Sequence, residues 1–173
     1  MQSGPFRESK FSLVPIEAGD SPECLQRDFD GTTPDRIAVA EVLKYGPENF
    51  TDFELALRVD LHGTVHCVIR GTMCTHESAA APEFFLHHSF VDKIWGTWQK
   101  KSEYHENVFF STLDEVMPGT QTLPKEVLDQ NALPGGVRVE YKLTKSEIEA
   151  REKYDRKYKR FQLNSLFSIV VPR

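Results

Sequence analysis

Apolar residues recur at every fourth position between residues 53 and 65 of this chain. Positions i and i+4 lie on one face of an α-helix, so the repeat predicts one packed helical face. The residues of this stripe are Phe53, Leu57, Leu61 and Val65. We expect the helix to begin near Thr51 and to end at about Ile69, with Gly71 as the terminator just beyond it.

Four other segments are also predicted to be helical. They cover residues 34–46, 85–101, 125–130 and 145–161. Thr33 is the expected N-cap of the first, Pro34 its first helical residue and Gly46 its end. Thr144 and Glu147 form a possible capping box for the last, whose many charges are typical of a solvated face. The residues between 72 and 82 are expected to form a loop.

Three short segments are predicted as strands: residues 11–14, 137–143 and 166–171. The middle one alternates apolar and polar residues, which is typical of a strand with one buried face. The fold class is therefore mainly α with small β additions. We expect a single domain over residues 1–173, with an irregular arm at 1–33, a core at 34–142 and a charged helix plus strand at 143–173.

Composition narrows the class of protein without deciding its function. The chain has 173 residues, 39% of them hydrophobic and 27% charged, as in globular domains. A net charge of −5 without a basic stripe argues against a nucleic-acid partner. No apolar run approaches the roughly twenty residues of a membrane span, and the first residues show no signal peptide. We expect either a cytosolic protein or one whose leader is missing from this chain.

Histidines supply the candidate chemistry. His62 and His66 are four residues apart on the predicted helix, so both imidazoles can reach one ion. His88, on the next long helix, can complete an all-nitrogen set that suits copper or zinc. We therefore predict a metal site in which two helices share one cation.

These residues resemble a known family. His62-x-x-x-His66 followed by Phe84-Phe85-Leu86-His87-His88-x-x-x-Asp92-Lys93-Ile94-Trp95 is similar to the CuB half of tyrosinases, catechol oxidases and molluscan haemocyanins, the type 3 copper proteins. The resemblance extends over roughly residues 25–142. It implies the CuB helix pair of a four-helix-bundle domain.

The resemblance also implies a role for each site residue. His62, His66 and His88 would be the copper ligands, and His87 would lie beside them or face the substrate. Asp92, one turn after His88, would orient an imidazole. Glu54 matches an acidic position that holds a water near the copper in tyrosinases; the alternative is an ordinary exposed carboxylate early in the helix.

The chain also departs from the family pattern. The family binds two coppers, but outside the motif this chain has only His76 and His105. Gly63 stands where tyrosinases often have Asn, which favours haemocyanin-like or catechol-oxidase-like behaviour. Arg70-Gly71 replaces the usual Gly-Gly, and Ala81-Pro82 replaces the usual Asp-Pro.

Three hypotheses remain open from the sequence. In the first, the chain is part of a larger phenol or catechol oxidase or oxygen carrier. In the second, two copies of the chain pair their half-sites. In the third, it is a non-enzymatic structural, pigment or binding protein that holds copper or zinc. The expected partners are a second copy or a missing CuA-containing segment, with dioxygen and phenolic or catechol molecules as possible ligands. The exposed face of the helix pair would be apolar, so a lone monomer is not expected.

Cysteines and a glycosylation sequence bear on the compartment. Cys67 and Cys74 flank the end of the metal helix, and their pairing would pin the following loop; Cys24 would then remain unpaired. The alternative is three buried free thiols. The sequon Asn49-Phe50-Thr51 and the family resemblance favour a secreted or luminal protein.

Overall fold

Helices form the regular structure of the described part of the chain. A computed structural model describes residues 24–142 together with Lys145 and Glu149. Its α-helices are α1 (Arg36–Val42), α2 (Phe50–Ala56), α3 (Thr64–Ile69), α4 (Pro82–Gln99) and α5 (Glu103–Glu106). Single 3₁₀ turns occur at Pro47–Asn49, Gly71–Cys74, Ser78–Ala80, Pro124–Glu126 and Pro134–Gly136. The prediction of a mainly α fold is confirmed.

A π-helical segment, Leu57–Gly63, joins α2 to α3 in one helical run. The run from Phe50 to Ile69 matches the predicted helix within a residue at each end. The π segment was not predicted, since the four-residue apolar repeat passes through it without a break. Such segments are rare and are frequently found at functional sites, and this one contains His62.

The apolar stripe packs the π-containing run against α4. Phe53 and Trp98 are fully buried, and their rings stack with centroids 4.1 Å apart at an angle of 11°. The Trp98 indole Nε1–H donates a hydrogen bond to the Tyr45 carbonyl at 2.9 Å. Removing a ring of this kind from a core costs about 3–5 kcal/mol. This contact therefore holds the two histidine-bearing helices in a fixed relation.

The bounds of two other helices differ from those predicted. The N-cap of α1 is Asp35 and not Thr33, since the Asp35 carboxylate accepts from the backbone N–H groups of Ile37 and Ala38. The helix also ends at Val42, before Gly46. Helix α4 begins at Pro82, because proline suits a first helical position, and it ends at Gln99.

The predicted strand at residues 137–143 is wrong for the described residues 137–142. An isolated bridge between Leu133 and Val137 stands there instead. Between them lies the turn Pro134–Gly136, with Gly135 and Gly136 at positive φ. A strand needs a neighbour with which to pair, and this turn brings only one residue across. The predicted helical piece at 125–130 is likewise reduced to a 3₁₀ turn, Pro124–Glu126.

An extended segment, residues 25–30, crosses the end of α3 and the turn after it. Asp28 and Asp30 donate backbone hydrogen bonds to the carbonyls of Ile69 and Val68. Gly71 has φ +51°, and a Cβ there would overlap the Gln26 carbonyl. Only glycine fits without strain, so the predicted terminator is confirmed with a specific reason.

Contacts divide the chain into two units after Arg138. All the elements above belong to the first. In the second, residues 139–142 have no regular secondary structure, while Lys145 and Glu149 are helical, as expected for the predicted helix 145–161. The other residues of that helix, and the predicted strands at 11–14 and 166–171, lie outside the described residues. Among the described helices, none combines the length and apolar character that crossing a bilayer requires.

Candidate metal centre

Three imidazoles converge at one point of the helix pair. One nitrogen from each of His62, His66 and His88 lies within 4.8 Å of the others, and all three side chains are partly buried. The Nε2 atoms of His66 and His88 are 3.2 Å apart. His62 comes from the π segment, His66 from α3 and His88 from α4. The structure thus brings together the three residues predicted as ligands.

Two backbone carbonyls fix the orientation of the first two rings. His66 Nδ1 lies 2.6 Å from the Met73 carbonyl, and His62 Nδ1 lies 3.2 Å from the Arg58 carbonyl. A carbonyl can only accept, so each Nδ1 carries the proton in these contacts. The Nε2 lone pairs are then available to a cation, which is the usual arrangement for metal-binding histidine.

His88 is held by an aromatic neighbour on its own helix. Its ring stacks on Phe84, four residues earlier, with centroids 3.9 Å apart at an angle of 29°. Burial lowers the pKa of His88, and the neighbouring His62 and His66 lower it further. A neutral imidazole is the form that binds metal, so this environment favours the binding form.

His87 lies next to this trio with its Nε2 already engaged. That nitrogen donates to the His62 carbonyl at 3.1 Å, and the ring lies nearly parallel to that of His62, at 10°. Burial lowers the pKa of His87 to about 4, so the ring is neutral near pH 7. It adds no positive charge that would repel a bound cation. Its predicted role beside the ligands stays a prediction.

Asp92 is tied to the loop that follows α5. Its Oδ2 accepts a hydrogen bond from Gln130 Nε2 at 3.0 Å. A Cβ on Gly96 would overlap the Gln130 amide, so the glycine makes room for this contact. The prediction that Asp92 orients an imidazole stays a prediction.

Glu54 is neither an ordinary exposed carboxylate nor a member of the histidine group. Its side chain is only 16% exposed, and it accepts from Arg58 Nε at 2.6 Å. The carbonyl of this same Arg58 holds His62. Glu54 therefore forms an i,i+4 pair with Arg58 on the same helical run, while its predicted role with a water stays a prediction.

The spacing of the nitrogens fits a small transition-metal ion. Two imidazole nitrogens bound at about 2.0–2.1 Å in tetrahedral geometry are about 3.3 Å apart. The 3.2 Å between the Nε2 atoms of His66 and His88 agrees with this separation. Three imidazole ligands suit copper and zinc, and they leave a fourth position for another molecule.

The cysteines near this site carry thiols. Cys67 and Cys74 are exposed, Cys24 is half-buried, and none of the three forms a disulfide. The alternative of three buried thiols is therefore wrong for the exposed pair. The Cys74 thiol donates to Cys67 Sγ at 3.8 Å, and this contact raises the pKa of Cys74.

The sequence did not reveal every residue that positions the site. Phe84 had a signal, since it precedes His88 by the four residues that place two side chains on one helical face. The carbonyls of Arg58 and Met73 had no sequence signal, because every residue offers the same backbone acceptor whatever its side chain is. Their roles depend on where the backbone turns.

Comparison with known proteins points to one family. The family model described as the common central domain of tyrosinase matches residues 2–101. The chain is 36% identical over 81 residues to a tyrosinase of Streptomyces glaucescens, covering 43% of this chain and 30% of that protein. It is 38% identical over 68 residues to hemocyanin 2 of Megathura crenulata, covering 34% of this chain and 2% of that protein.

A third relative extends the match. The tyrosinase-like protein phomQ2 of Diaporthe leptostromiformis is 36% identical over 110 residues, which is 57% of this chain and 27% of that protein. The matched region is therefore less than a third of the length of each of these three relatives.

Proposed function

Because the chain belongs to the tyrosinase and haemocyanin family of type 3 copper proteins, we propose that it binds one copper ion through His62, His66 and His88 as a CuB-like half-site. The observation that carries this proposal is the convergence of the three imidazoles, with two Nε2 atoms 3.2 Å apart. A copper ion bound there supplies one-electron redox chemistry and, beside a second copper, the capacity to bind dioxygen.

The residues around the trio prepare it for a cation. The Met73 and Arg58 carbonyls hold the protons of His66 and His62 on Nδ1, so each Nε2 keeps a lone pair for a metal. Phe84 restrains the ring of His88 by stacking. The side chains are therefore oriented before a metal arrives, which reduces the conformational entropy lost on binding.

We further propose that the working protein covers this helix pair with a segment carrying a second histidine trio, as part of a larger phenol or catechol oxidase or oxygen carrier. Three large apolar residues on α4, around the histidines in sequence, are exposed: Phe85 at 63%, Leu86 at 75% and Phe90 at 50%. Leu55 and Val59 are exposed on the neighbouring helical run. Large apolar side chains left exposed on neighbouring helices favour an interface. A second copy of this chain is the other occupant to be tested.

A non-enzymatic metal protein is the second candidate function. It is favoured by the finding that, within the described residues, one group of three possible ligands occurs. One trio can hold zinc or a single copper, and it can join two helices without turning over a substrate.

The metal content per chain, measured together with the oligomeric mass, distinguishes the oxidase or oxygen-carrier function from the non-enzymatic one. The purified chain is dialysed against copper or zinc, and bound metal per chain is compared with the mass from analytical ultracentrifugation and with oxidation of a catechol. One copper per chain with no catechol oxidation by a monomer supports the half-site. Failure to retain either metal would overturn it. Catechol oxidation appearing only in a dimer would identify a second copy as the covering partner.

We also propose that the protein is exported from the cytosol. Asn49 of the sequon is exposed at the end of a 3₁₀ turn, where a glycan is accessible. Expression of the chain behind a secretory leader in a eukaryotic cell tests the premise of this proposal, that the sequon is usable once the chain is exported. A mass increase that is lost in Asn49→Gln is expected, whereas an unmodified wild-type chain would count against it.

A further inference from the structure

Two thiols bracket the part of the backbone that orients His66. Cys67, next to His66 in α3, and Cys74, at the end of the turn Gly71–Cys74, have their sulfurs 3.8 Å apart and are both exposed. We propose that these two cysteines form a reversible disulfide that acts as a clamp on the His66–Met73 hydrogen bond. Nothing in the half-site proposal requires this bond.

The backbone between the two cysteines already brings them together. Arg70 and Gly71 both have positive φ, and they reverse the chain at the end of α3. The backbone N–H of Met73 then donates to the Arg70 carbonyl at 3.1 Å. A disulfide needs its sulfurs about 2.05 Å apart. Because both side chains are exposed, we expect rotation about their own Cα–Cβ bonds to close the remaining gap.

The oxidant is a small-molecule disulfide such as oxidised glutathione. The thiolate of one cysteine attacks it, which breaks its S–S bond, forms a mixed disulfide and releases one glutathione thiol. The second cysteine thiolate attacks the protein sulfur of that mixed disulfide and releases the second glutathione. The net change is one S–S bond formed and one broken, and the two protons of the protein thiols end on the two glutathione thiols.

The ring closed by this bond contains Met73, whose carbonyl holds His66 Nδ1 at 2.6 Å. Joining residues 67 and 74 limits the motions that would separate this carbonyl from the imidazole. His66 Nε2 then stays directed at His62 and His88, so a bound metal leaves more slowly in the disulfide form. The effect on metal release depends on the half-site proposed above, whereas formation of the disulfide does not.

The first experiment treats the full chain with oxidised glutathione and maps its peptides without reduction. A Cys67–Cys74 link is expected in the wild type and in Cys24→Ser, and no such link in Cys67→Ser or Cys74→Ser. Only glutathione adducts, or a link through Cys24, would overturn the proposal.

Hydrogen exchange of the metal-free protein gives a second readout. The amides of residues 70–75 should exchange more slowly after oxidation, and unchanged exchange would overturn the clamp.

The second experiment loads the oxidised and the reduced chain with zinc, which itself does not oxidise thiols. Release to an excess of chelator is then timed. Release about tenfold slower from the oxidised wild type is expected, with no difference between conditions in Cys67→Ser. Equal rates in a chain with the mapped disulfide would overturn the effect on the site. A chain that binds no zinc or copper in either form would instead contradict the half-site, and peptide mapping and exchange would still decide the disulfide.

Discussion

His66 Nδ1, within α3, and the carbonyl oxygen of Met73, in the turn that follows this helix, are 2.6 Å apart. This contact places the proton on Nδ1 and directs Nε2 toward His88. The turn after a helix therefore determines which nitrogen of a histidine within that helix is free. Its geometry in turn depends on Gly71, where a side chain would overlap the Gln26 carbonyl.

Replacing any one of the three converging histidines should weaken metal binding severely. Two ligand nitrogens remain in each of the variants His62→Ala, His66→Ala and His88→Ala. We therefore expect metal affinity to fall about 100-fold or more. This loss exceeds the 10–100-fold that is typical when a residue that only supports a ligand is replaced. The measurement is competition with a chelator of known zinc and copper affinity. His76→Ala is the matched control, since His76 is exposed and outside the group. Similar losses in the control and in the three variants would contradict the assignment.

Asp92→Asn tests whether this carboxylate supports an imidazole. The substitution keeps the shape but removes the charge, and we expect metal affinity to fall about tenfold with little change in thermal stability. Gly96→Ala should lower affinity in the same direction, because its methyl group would displace Gln130 from Asp92. Asp114→Asn, on an exposed ion pair with Lys125, is the control. If Asp92→Asn binds metal as tightly as the wild type, Asp92 does not support an imidazole and only holds the Gln130 loop.

The sequence predicted those parts of the site that depend on side-chain spacing. The apolar stripe located the helical run from Phe50 to Ile69, and the double-histidine motif located α4 and the three imidazoles. The sequence did not predict the π segment, because the apolar repeat runs through it unbroken and gives no signal for i→i+5 hydrogen bonds. The strand expected at residues 137–143 failed for the related reason that pairing is a property of two segments.

Arg70→Gly should stabilise the protein. Arg70 has φ +54° and ψ −157°, a conformation that costs a residue with a Cβ about 1–3 kcal/mol and costs glycine little. The substitution loses exposed ion pairs with Asp28 and Asp30, each worth less than about 1 kcal/mol. We expect a net gain of about 1 kcal/mol in the free energy of unfolding, measured with urea. Arg70→Ala is the control, since it loses the pairs and keeps the strain. Arg70→Gly being no more stable than Arg70→Ala would exclude strain at this position.

The stability of the metal-free protein should fall as the solution is acidified from about pH 7.5 to about pH 5. The folded protein holds His87 with a pKa of about 4, chiefly because of burial, whereas the unfolded chain takes up a proton near pH 6.5. The unfolded state therefore binds more protons through this range, and unfolding becomes easier as the pH falls. His88, whose pKa is also lowered by burial, acts in the same direction.

Urea unfolding at both pH values, in the presence of a chelator, measures this loss. We expect His87 to contribute about 1 kcal/mol, less than its full pKa shift implies, because solvent screens a side chain that is only partly buried. His87→Gln should show a smaller difference between the two pH values than the wild type, and His76→Gln should match the wild type. Most carboxylates are still ionised at the lower limit of about pH 5, so the difference between the two pH values reports mainly the protonation of histidine side chains. If acidification lowers the stability of His87→Gln as much as that of the wild type, another group takes up the destabilising proton, and His87 does not account for the pH dependence.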